Sequence, residues 1–307
     1  TLVVTGDAYL TYADCQAIAT AFPSAALKTL DLSAAKFENN ATPAAVGNLG
    51  AFNINADAQG LQVTEVKLPS GLKTIGSRFF RRFRKLTTVN LPESLQSIGE
   101  GGFVQCDLLT SLALPAGLQG IGATAFFQCT NLTMTGLPAA LNTLGNTAFA
   151  TTKVAIGAFP EGITKIEHDC FNTNHDTRHS LTMLTIHEGI TEIGSKAFAR
   201  QKSLNNITVN RVSPPTTATD AFDGVTLNAI DLYIPSGSIG NYNNVEPWKY
   251  MIIHNNIPNA LPSVSSDVVK ELYNLWGQKI AQPQRGQIYI AKSVLSSGEI
   301  KIEKYIY

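Results

Sequence analysis

Residues with catalytic or metal-binding chemistry are sparse in this chain, and the clearest cluster is EHDCFNTNHDTRH at residues 167–179. It holds metal-ligating residue types, and His175 and His179 lie four residues apart. A solvated insertion loop explains the same residues, and we expect neither a metal nor a cofactor. The G-x-S-x-G, H-E-x-x-H and glycine-rich phosphate-loop motifs do not occur in the sequence. The sequence therefore predicts a protein that is not an enzyme.

A second polar run, SRFFRRFRK at residues 77–85, is rich in arginine. Arg81 and Arg82 lie at its centre, and a guanidinium group binds carboxylate or phosphate through paired hydrogen bonds. One interpretation of the run is an anion-binding site. The other is a solvated corner of the fold in which the phenylalanines are packing residues. Arg81 and Arg82 are kept as candidate partner-binding residues.

Both runs belong to a chain that repeats itself. The stretch LPESLQSIGEGGF at residues 91–103 recurs with few changes every 23 residues. The period is visible in Pro69, Pro92, Pro115 and Pro138, and in Phe80, Phe103, Phe126 and Phe149. Looser copies follow, and one carries an insertion at residues 172–180. A fixed period of this length is typical of a solenoid, in which each repeat packs only against its neighbours.

One repeat predicts one coil of the solenoid. In the coil from Leu86, a short strand ends at Pro92 because proline lacks the N–H that a strand ladder needs. Gly99 then permits a tight turn, and Phe103 fills the interior of the coil. Equivalent residues should stack along the axis in three columns. These are Val66, Val89, Leu112, Thr135, Gly157, Leu184, then Leu72, Leu95, Leu118, Leu141, Ile163, Ile190, and then Ile75, Ile98, Ile121, Leu144, Ile166, Ile193.

The outward positions of the first strand form a candidate binding face. Counting by the repeat, Thr88 and Asn90 belong to its polar part, whereas Met134, Ile156 and Met183 belong to its apolar part. An exposed apolar patch often marks a contact surface, and methionine suits adaptable contacts. Two explanations stay open for this patch. It binds a partner, or the C-terminal segment or the 172–180 insertion covers it.

Cys106 and Cys129 lie 23 residues apart and occupy the same slot on adjacent coils. Neighbouring strands lie about 4.8 Å apart, which is within the Cα separation that a disulfide tolerates. A disulfide is therefore possible on distance alone. The alternative is a pair of buried thiols that act as small hydrophobic residues.

The pattern L-x-x-V-x-L-P-x-x-L-x-x-I-G-x-x-x-F, met nearly in full from Leu86 and Leu109, resembles the BspA-type bacterial leucine-rich repeat. The resemblance is strong over residues 61–203 and weaker over 27–60 and 204–257. It implies a β-rich, right-handed solenoid of 23-residue coils with short terminal helices. It also implies a surface or secreted protein that binds a host, matrix or cell-surface protein.

The two ends of the chain differ from the repeats. We expect an N-terminal cap at residues 1–26, a solenoid with its terminal cap at 27–257, and a linker with a small β module at 258–307. The linker is rich in proline and serine. The module resembles the C-terminal β module of surface and secreted proteins from gut and oral bacteria.

Charge gives no indication of a nucleic-acid partner, and hydropathy gives none of a membrane span. The 23 basic and 23 acidic residues cancel, so the sequence gives no reason to expect nucleic acid as a partner. No apolar run approaches the 18 residues that a membrane span needs. The resemblance to the BspA-type family implies an extracellular or surface-bound binding and adhesion protein with a protein ligand, and we expect a monomer. The alternative is a glycan-binding module of a nutrient-uptake system, which would need aromatic residues on the exposed column.

Overall fold

The fold is a solenoid of about eight turns, seen in a computed structural model. The structure describes residues 1–21, 27–44, 50–52, 62–173, 181–257, 269–274, 279–280, 288–294 and 300–306. A coil consists of a short first strand, a second short strand and a returning run of turns, and in the coils between residues 109 and 159 isolated bridges replace the first strand. The leucine-rich repeat solenoid predicted from the sequence is confirmed.

The first strands of the coils form two parallel sheets. The N-terminal sheet has the order β1-β2-β3-β5, and the C-terminal sheet has the order β10-β12-β14-β15. Their bounds are β1 Leu2–Val3, β2 Thr29–Asp31, β3 Glu65–Lys67, β5 Thr88–Asn90, β10 Met183–Ile186, β12 Asn206–Val209, β14 Asp231–Pro235 and β15 Ile252–Ile257. Because all pairs are parallel, equivalent residues of successive coils lie side by side.

The second strands form two further parallel sheets, in the orders β4-β6-β7-β8 and β9-β11-β13. Their bounds are β4 Thr74–Ile75, β6 Ser97–Ile98, β7 Gly120–Ile121, β8 Thr143–Leu144, β9 Lys165–Ile166, β11 Glu192–Ile193 and β13 Thr216–Thr217. In β4, β6, β7, β8, β9 and β11, the second residue belongs to the predicted isoleucine and leucine column and is buried. The predicted columns that begin at Leu72 and Ile75 are confirmed as parts of one continuous core.

The third side of each coil is a run of turns held by hydrogen bonds to the next coil. In the coil at Phe126, the N–H groups of Thr124, Phe126 and Gln128 donate to carbonyls 22 residues further on, at 2.8–3.1 Å. Thr124 and Gln128 have φ of 53° and 61°, in the left-handed region. Most equivalent positions of other coils repeat this conformation with a residue other than glycine, and Gly101 occupies one of them. The regular hydrogen bonding to the neighbouring coil therefore stabilises a backbone that side chains ordinarily disfavour.

A ladder of phenylalanine rings runs through the interior. Phe103, Phe126 and Phe149 stack with centroids 5.3–5.4 Å apart and nearly parallel planes. The same stacking extends from Phe80 through Phe171 and Phe198 to Phe222. At the C-terminal end, Trp248 meets the last ring edge-on at 5.9 Å and ends the ladder. Phe103, predicted to fill the interior of its coil, is buried within this ladder.

The repeated glycine serves close packing. A Cβ on Gly99 would lie 2.8 Å from the Ser77 nitrogen, and one on Gly122 would lie 2.7 Å from the Glu100 nitrogen. The left-handed turn residues are elsewhere in the coil, so the turn predicted at Gly99 is not the reason for this glycine. It allows the backbones of adjacent coils to approach.

Cys106 and Cys129 are free, buried thiols. The Cys106 thiol donates to the carbonyl of Phe80 at 3.2 Å, and the Cys129 thiol donates to that of Phe103 at 3.0 Å. Burial raises the pKa of the Cys106 thiol well above its ordinary value, and the neighbouring thiol raises it further. Of the two alternatives left open by the spacing, the structure shows the buried thiols.

Short helices close the two ends of the solenoid. Helix α1, Tyr12–Ala21, starts with a reciprocal cap in which Thr11 donates to the Asp14 carboxylate at 2.6 and 2.8 Å. Helix α2, Ile239–Tyr242, follows Ser238, whose side chain makes no capping hydrogen bond. Three-residue 3-10 helices lie at Glu38–Asn40, Leu227–Ala229 and Trp248–Tyr250.

Four antiparallel strands form a separate sheet after residue 268. They are β16 Val269–Asn274, β17 Lys279–Ile280, β18 Ile288–Val294 and β19 Ile300–Ile306, in the order β17-β16-β18-β19. The predicted C-terminal β module is confirmed. In the described part of the chain, no helix has the length and apolar character that crossing a membrane requires.

Candidate functional site

The outward side chains of the C-terminal sheet form the candidate site, named here the C-terminal sheet face. Strand pairing aligns them in two rows across β10, β12, β14 and β15. The first row is Met183, Asn206, Asp231 and Ile252, and the second is Thr185, Thr208, Tyr233 and His254. Alternate residues of the same strands point into the core, which fixes these eight side chains on one surface.

Apolar side chains lie at both ends of the first row. Met183 is 61% exposed and Ile252 is 48% exposed. Such exposure is costly for large apolar groups, since burying either would gain about 1.5–3 kcal/mol. A surface that keeps two of them on one sheet face is suited to contact with another molecule.

The middle of the C-terminal sheet face is polar and aromatic. His254 Nε2 lies 2.7 Å from Asp231 Oδ1, and a proton on Nε2 donates to the carboxylate. The Tyr233 ring stacks on the His254 ring, with centroids 4.8 Å apart and planes inclined by 18°. Stacking and hydrogen bonding together fix His254 and leave a carboxylate, a phenol and two rings in defined positions on the sheet.

The outward side chains of the N-terminal sheet, named here the N-terminal sheet face, contact mostly one another. The Lys67 ammonium lies 3.9 Å from the Asp31 carboxylate, and Thr29 donates to Glu65 at 3.1 Å. The Asn90 side-chain oxygen accepts a hydrogen bond from the backbone N–H of the coil before it, at 3.1 Å. Thr88 is exposed on the same face. Most polar groups of this face are therefore already satisfied within the chain.

The predicted apolar patch of Met134, Ile156 and Met183 does not form, and that prediction is wrong. Met183 is exposed, but Met134 is 9% exposed and Ile156 is 1% exposed. The pairing of Ser111 with Thr133 aligns Met134 with the buried Leu112, one residue off the regular count. The expected core positions in these two coils hold a threonine and a glycine, which cannot fill the interior. In each of these coils the preceding apolar residue, Met134 or Ile156, points into the core instead.

The arginine run lies on the turn side of its coil, away from both sheet faces. Arg82 Nε donates to Gln105 at 2.9 Å, and Gln105 in turn donates to Gln128 at 2.8 Å on the next coil. Arg78 pairs with Glu100. Burial, reinforced by the two neighbouring arginines, lowers the pKa of the Arg81 guanidinium. Arg81 and Arg82 are thus not brought together with Met183, Thr88 or Asn90.

The histidine-rich run is only partly covered by the structure. His175 and His179 lie outside the described residues. His168 lies 3.3 Å from the Asp169 carboxylate, and Asn172 donates to Asp169 at 2.6 Å. Among the described residues, no group of three or more histidine, cysteine, aspartate or glutamate side chains is arranged to hold a metal ion.

Sequence reasoning missed the outward residues of β12, β14 and β15, which are six of the eight residues of the C-terminal sheet face: Asn206, Thr208, Asp231, Tyr233, Ile252 and His254. The residue count along the exposed column stopped at β10, because the following coils lose the repeat and residues 231–251 resemble a terminal unit. β14 and β15 place Tyr233 and His254, aromatic rings of the kind that a glycan-binding module would need, on the exposed column. The alternation in DLYIP, with apolar residues at every second position, was the signal that could have extended the column.

Comparison with known proteins assigns the family. The model of the BspA-type leucine-rich repeat region matches six copies over residues 56–178 and 176–275. The chain belongs to this family. A search of curated proteins found no match.

Solved structures of bacterial leucine-rich repeat proteins resemble this BspA-type protein. One is the leucine-rich repeat protein of T. pallidum, with 22% identity, 58% of this chain and 71% of that chain covered, and a TM-score of 0.41. Another is a leucine-rich cell surface protein of Faecalibacterium prausnitzii, with 22% identity, 58% and 56% covered, and a TM-score of 0.45. A third, from Bacteroides ovatus, has 18% identity, 66% and 79% covered, and a TM-score of 0.33.

Proposed function

We propose that this BspA-type protein is a non-catalytic binding and adhesion protein that engages a protein partner through its C-terminal sheet face. The observation that carries the proposal is the exposure of Met183 and Ile252 on either side of Asp231 and Tyr233. Solenoids use such extended sheet faces for binding. The N-terminal sheet face is less suited to the role because its charges are paired within the chain.

The proposed location is the cell surface or the extracellular space. Family membership supports this location, and a similar protein is described as a cell surface protein. The partner would then be a host, matrix or other cell-surface protein. We propose that the protein acts as a monomer and needs no cofactor.

A binding screen with matched variants tests the proposed function. The purified chain is tested against immobilised matrix and cell-surface proteins, together with the double variant Met183→Ser/Ile252→Ser. The double variant should lose at least about tenfold in affinity, because both apolar contacts are removed. Thr88→Ala, on the N-terminal sheet face, should bind like the wild type. Loss of binding in Thr88→Ala and not in the double variant would move the site to the other sheet.

Glycan binding is the second candidate function, and the stacked Tyr233 and His254 rings favour it. Aromatic rings beside a carboxylate and an amide are groups that sugars can use for stacking and hydrogen bonding. On a glycan array, binding by the wild type that Tyr233→Ala abolishes would support this candidate. Binding that depends on Met183 and Ile252 but not on Tyr233 would support a protein partner.

A further inference from the structure

The two sheet faces differ in how they neutralise an aspartate. Asp31 on the N-terminal sheet face has the ammonium of Lys67 at 3.9 Å, and it accepts two hydrogen bonds from Ser33 at 2.6 and 3.0 Å. Asp231 on the C-terminal sheet face has His254 as its ion-pair partner within the described part of the chain. The eight residues of that face include no lysine and no arginine.

Asp231 therefore has no permanently charged partner on this face. Hydrogen bonding from Nε2 occupies Oδ1, and the net charge of the pair is −1 whenever the imidazole is neutral. The Asp231 side chain is 41% exposed, so the carboxylate is accessible from solvent. Its other oxygen, Oδ2, accepts no hydrogen bond from the residues that the structure describes, which leaves it open to an incoming donor.

The surroundings of Asp231 fit a long cationic side chain. Ile252 lies directly across on β15, and Met183 lies two strands away on the other side, about 10 Å distant from the strand spacing. Lysine and arginine carry an aliphatic stem that packs on apolar surface while the charged end reaches a carboxylate. A small cation without an apolar part would contact only Asp231 and would leave Met183 and Ile252 exposed.

We propose that the partner of the C-terminal sheet face is a protein segment that places a lysine or arginine on Asp231, between apolar side chains that contact Met183 and Ile252. This inference rests on the proposed function and names the chemistry of its partner. Charge complementarity to the exposed Asp231 carboxylate, on a face that includes no lysine and no arginine, carries it. A neutral glycan satisfies Asp231 through hydroxyl groups and has no need of a cation.

Four pools of short synthetic peptides test the proposal. A central residue is fixed as lysine, arginine, glutamine or glutamate, and the flanking positions are randomised among leucine, isoleucine, tyrosine and threonine. The wild type should bind the lysine and arginine pools about tenfold more tightly than the glutamine pool, and the glutamate pool least. The preference should fall as salt is raised, because an exposed ion pair is screened.

Two variants identify the group that sets the preference. Asp231→Asn should bind the lysine, arginine and glutamine pools alike, whereas Asp31→Asn changes the net charge equally on the other face and should keep the preference. The melting temperature of each variant reports whether it is folded. Equal binding of the lysine and glutamine pools by the wild type, or an unchanged preference in Asp231→Asn, would overturn the proposal.

The double variant Met183→Ser/Ile252→Ser separates this proposal from the proposed function. If it abolishes binding while the wild type shows no preference for a cation, the face binds protein and only the inference about lysine or arginine fails. If it binds every pool as the wild type does, the C-terminal sheet face is not the binding surface and both fail. Absence of wild-type binding to all four pools contradicts both as well.

Discussion

The N-terminal and C-terminal sheet faces are built by the same coil on the same core, yet their outward residues have opposite character. On the N-terminal face, Asp31 and Lys67 pair with each other, and Thr29 donates to Glu65. On the C-terminal face, apolar side chains are exposed beside Asp231, whose ion-pair partner in the described part of the chain is a histidine. The repeat constrains inward residues strongly and outward residues hardly at all, so function resides in positions that the repeat leaves free.

The coils between the two faces interrupt the sheet. Residues 109–114, 132–137 and 154–159 form isolated bridges instead of strands, at Ser111 with Thr133 and at Ala158 with Thr185. There the inward residue shifts by one position, which places Met134 and Ile156 in the core. The interruption separates the two faces and makes the C-terminal face a unit of four strands.

The largest expected effect comes from breaking the core that carries both faces. Phe126→Ala removes a ring from the middle of the stacked ladder and should lower the free energy of unfolding by about 3–5 kcal/mol. Phe127→Ala, at a partly exposed neighbouring position, is the matched control and should cost clearly less. Urea denaturation of the two variants measures the difference. Equal costs would show that the ladder does not hold the two halves together.

The second prediction sharpens the contrast between the interrupted centre and the C-terminal face. Met134→Ser should lower the free energy of unfolding by about 2–5 kcal/mol, because its side chain fills the core. Met183→Ser should change it by no more than about 0.5 kcal/mol, because its side chain is exposed. The same denaturation experiment compares the two. A costly Met183→Ser with a harmless Met134→Ser would reverse the assignment of the inward and outward residues.

The smallest effect concerns the internal pairing of the N-terminal face. Hydrogen bonds from Ser33, with a smaller contribution from Lys67, hold the pKa of Asp31 below its ordinary value. The stabilisation is therefore present above about pH 4, the unfolded value, and is lost as the pH falls through the lower folded value. Asp31→Asn should lose less stability than the wild type between pH 6 and pH 3.

Urea midpoints at pH 6 and pH 3 measure this difference. An identical acid loss in Asp31→Asn and in the wild type would show that the Asp31 contacts are not formed in solution.

The fold was largely predictable, and the site was predictable only in part. The 23-residue spacing of Leu95, Leu118 and Leu141 predicts their stacking, because side chains that must be buried impose a strict repeat. Outward residues carry no such constraint. A count that assumes constant register placed Met134 outside, although Thr135 at the expected core position is too polar to fill it. The positions of Asp231 and His254 follow from the pairing between strands, which the spacing of the repeat does not predict.

The central claim is that the C-terminal sheet face is the exposed, ligand-binding surface, and methionine methyl NMR tests it most directly. The chain has three methionines, of which Met134 and Met251 are buried and Met183 is exposed. A soluble gadolinium chelate should broaden the Met183 methyl signal alone, and the lysine peptide pool should shift that signal alone. A Met183 signal protected from the chelate, or a peptide-induced shift at Met134 with none at Met183, would contradict the claim.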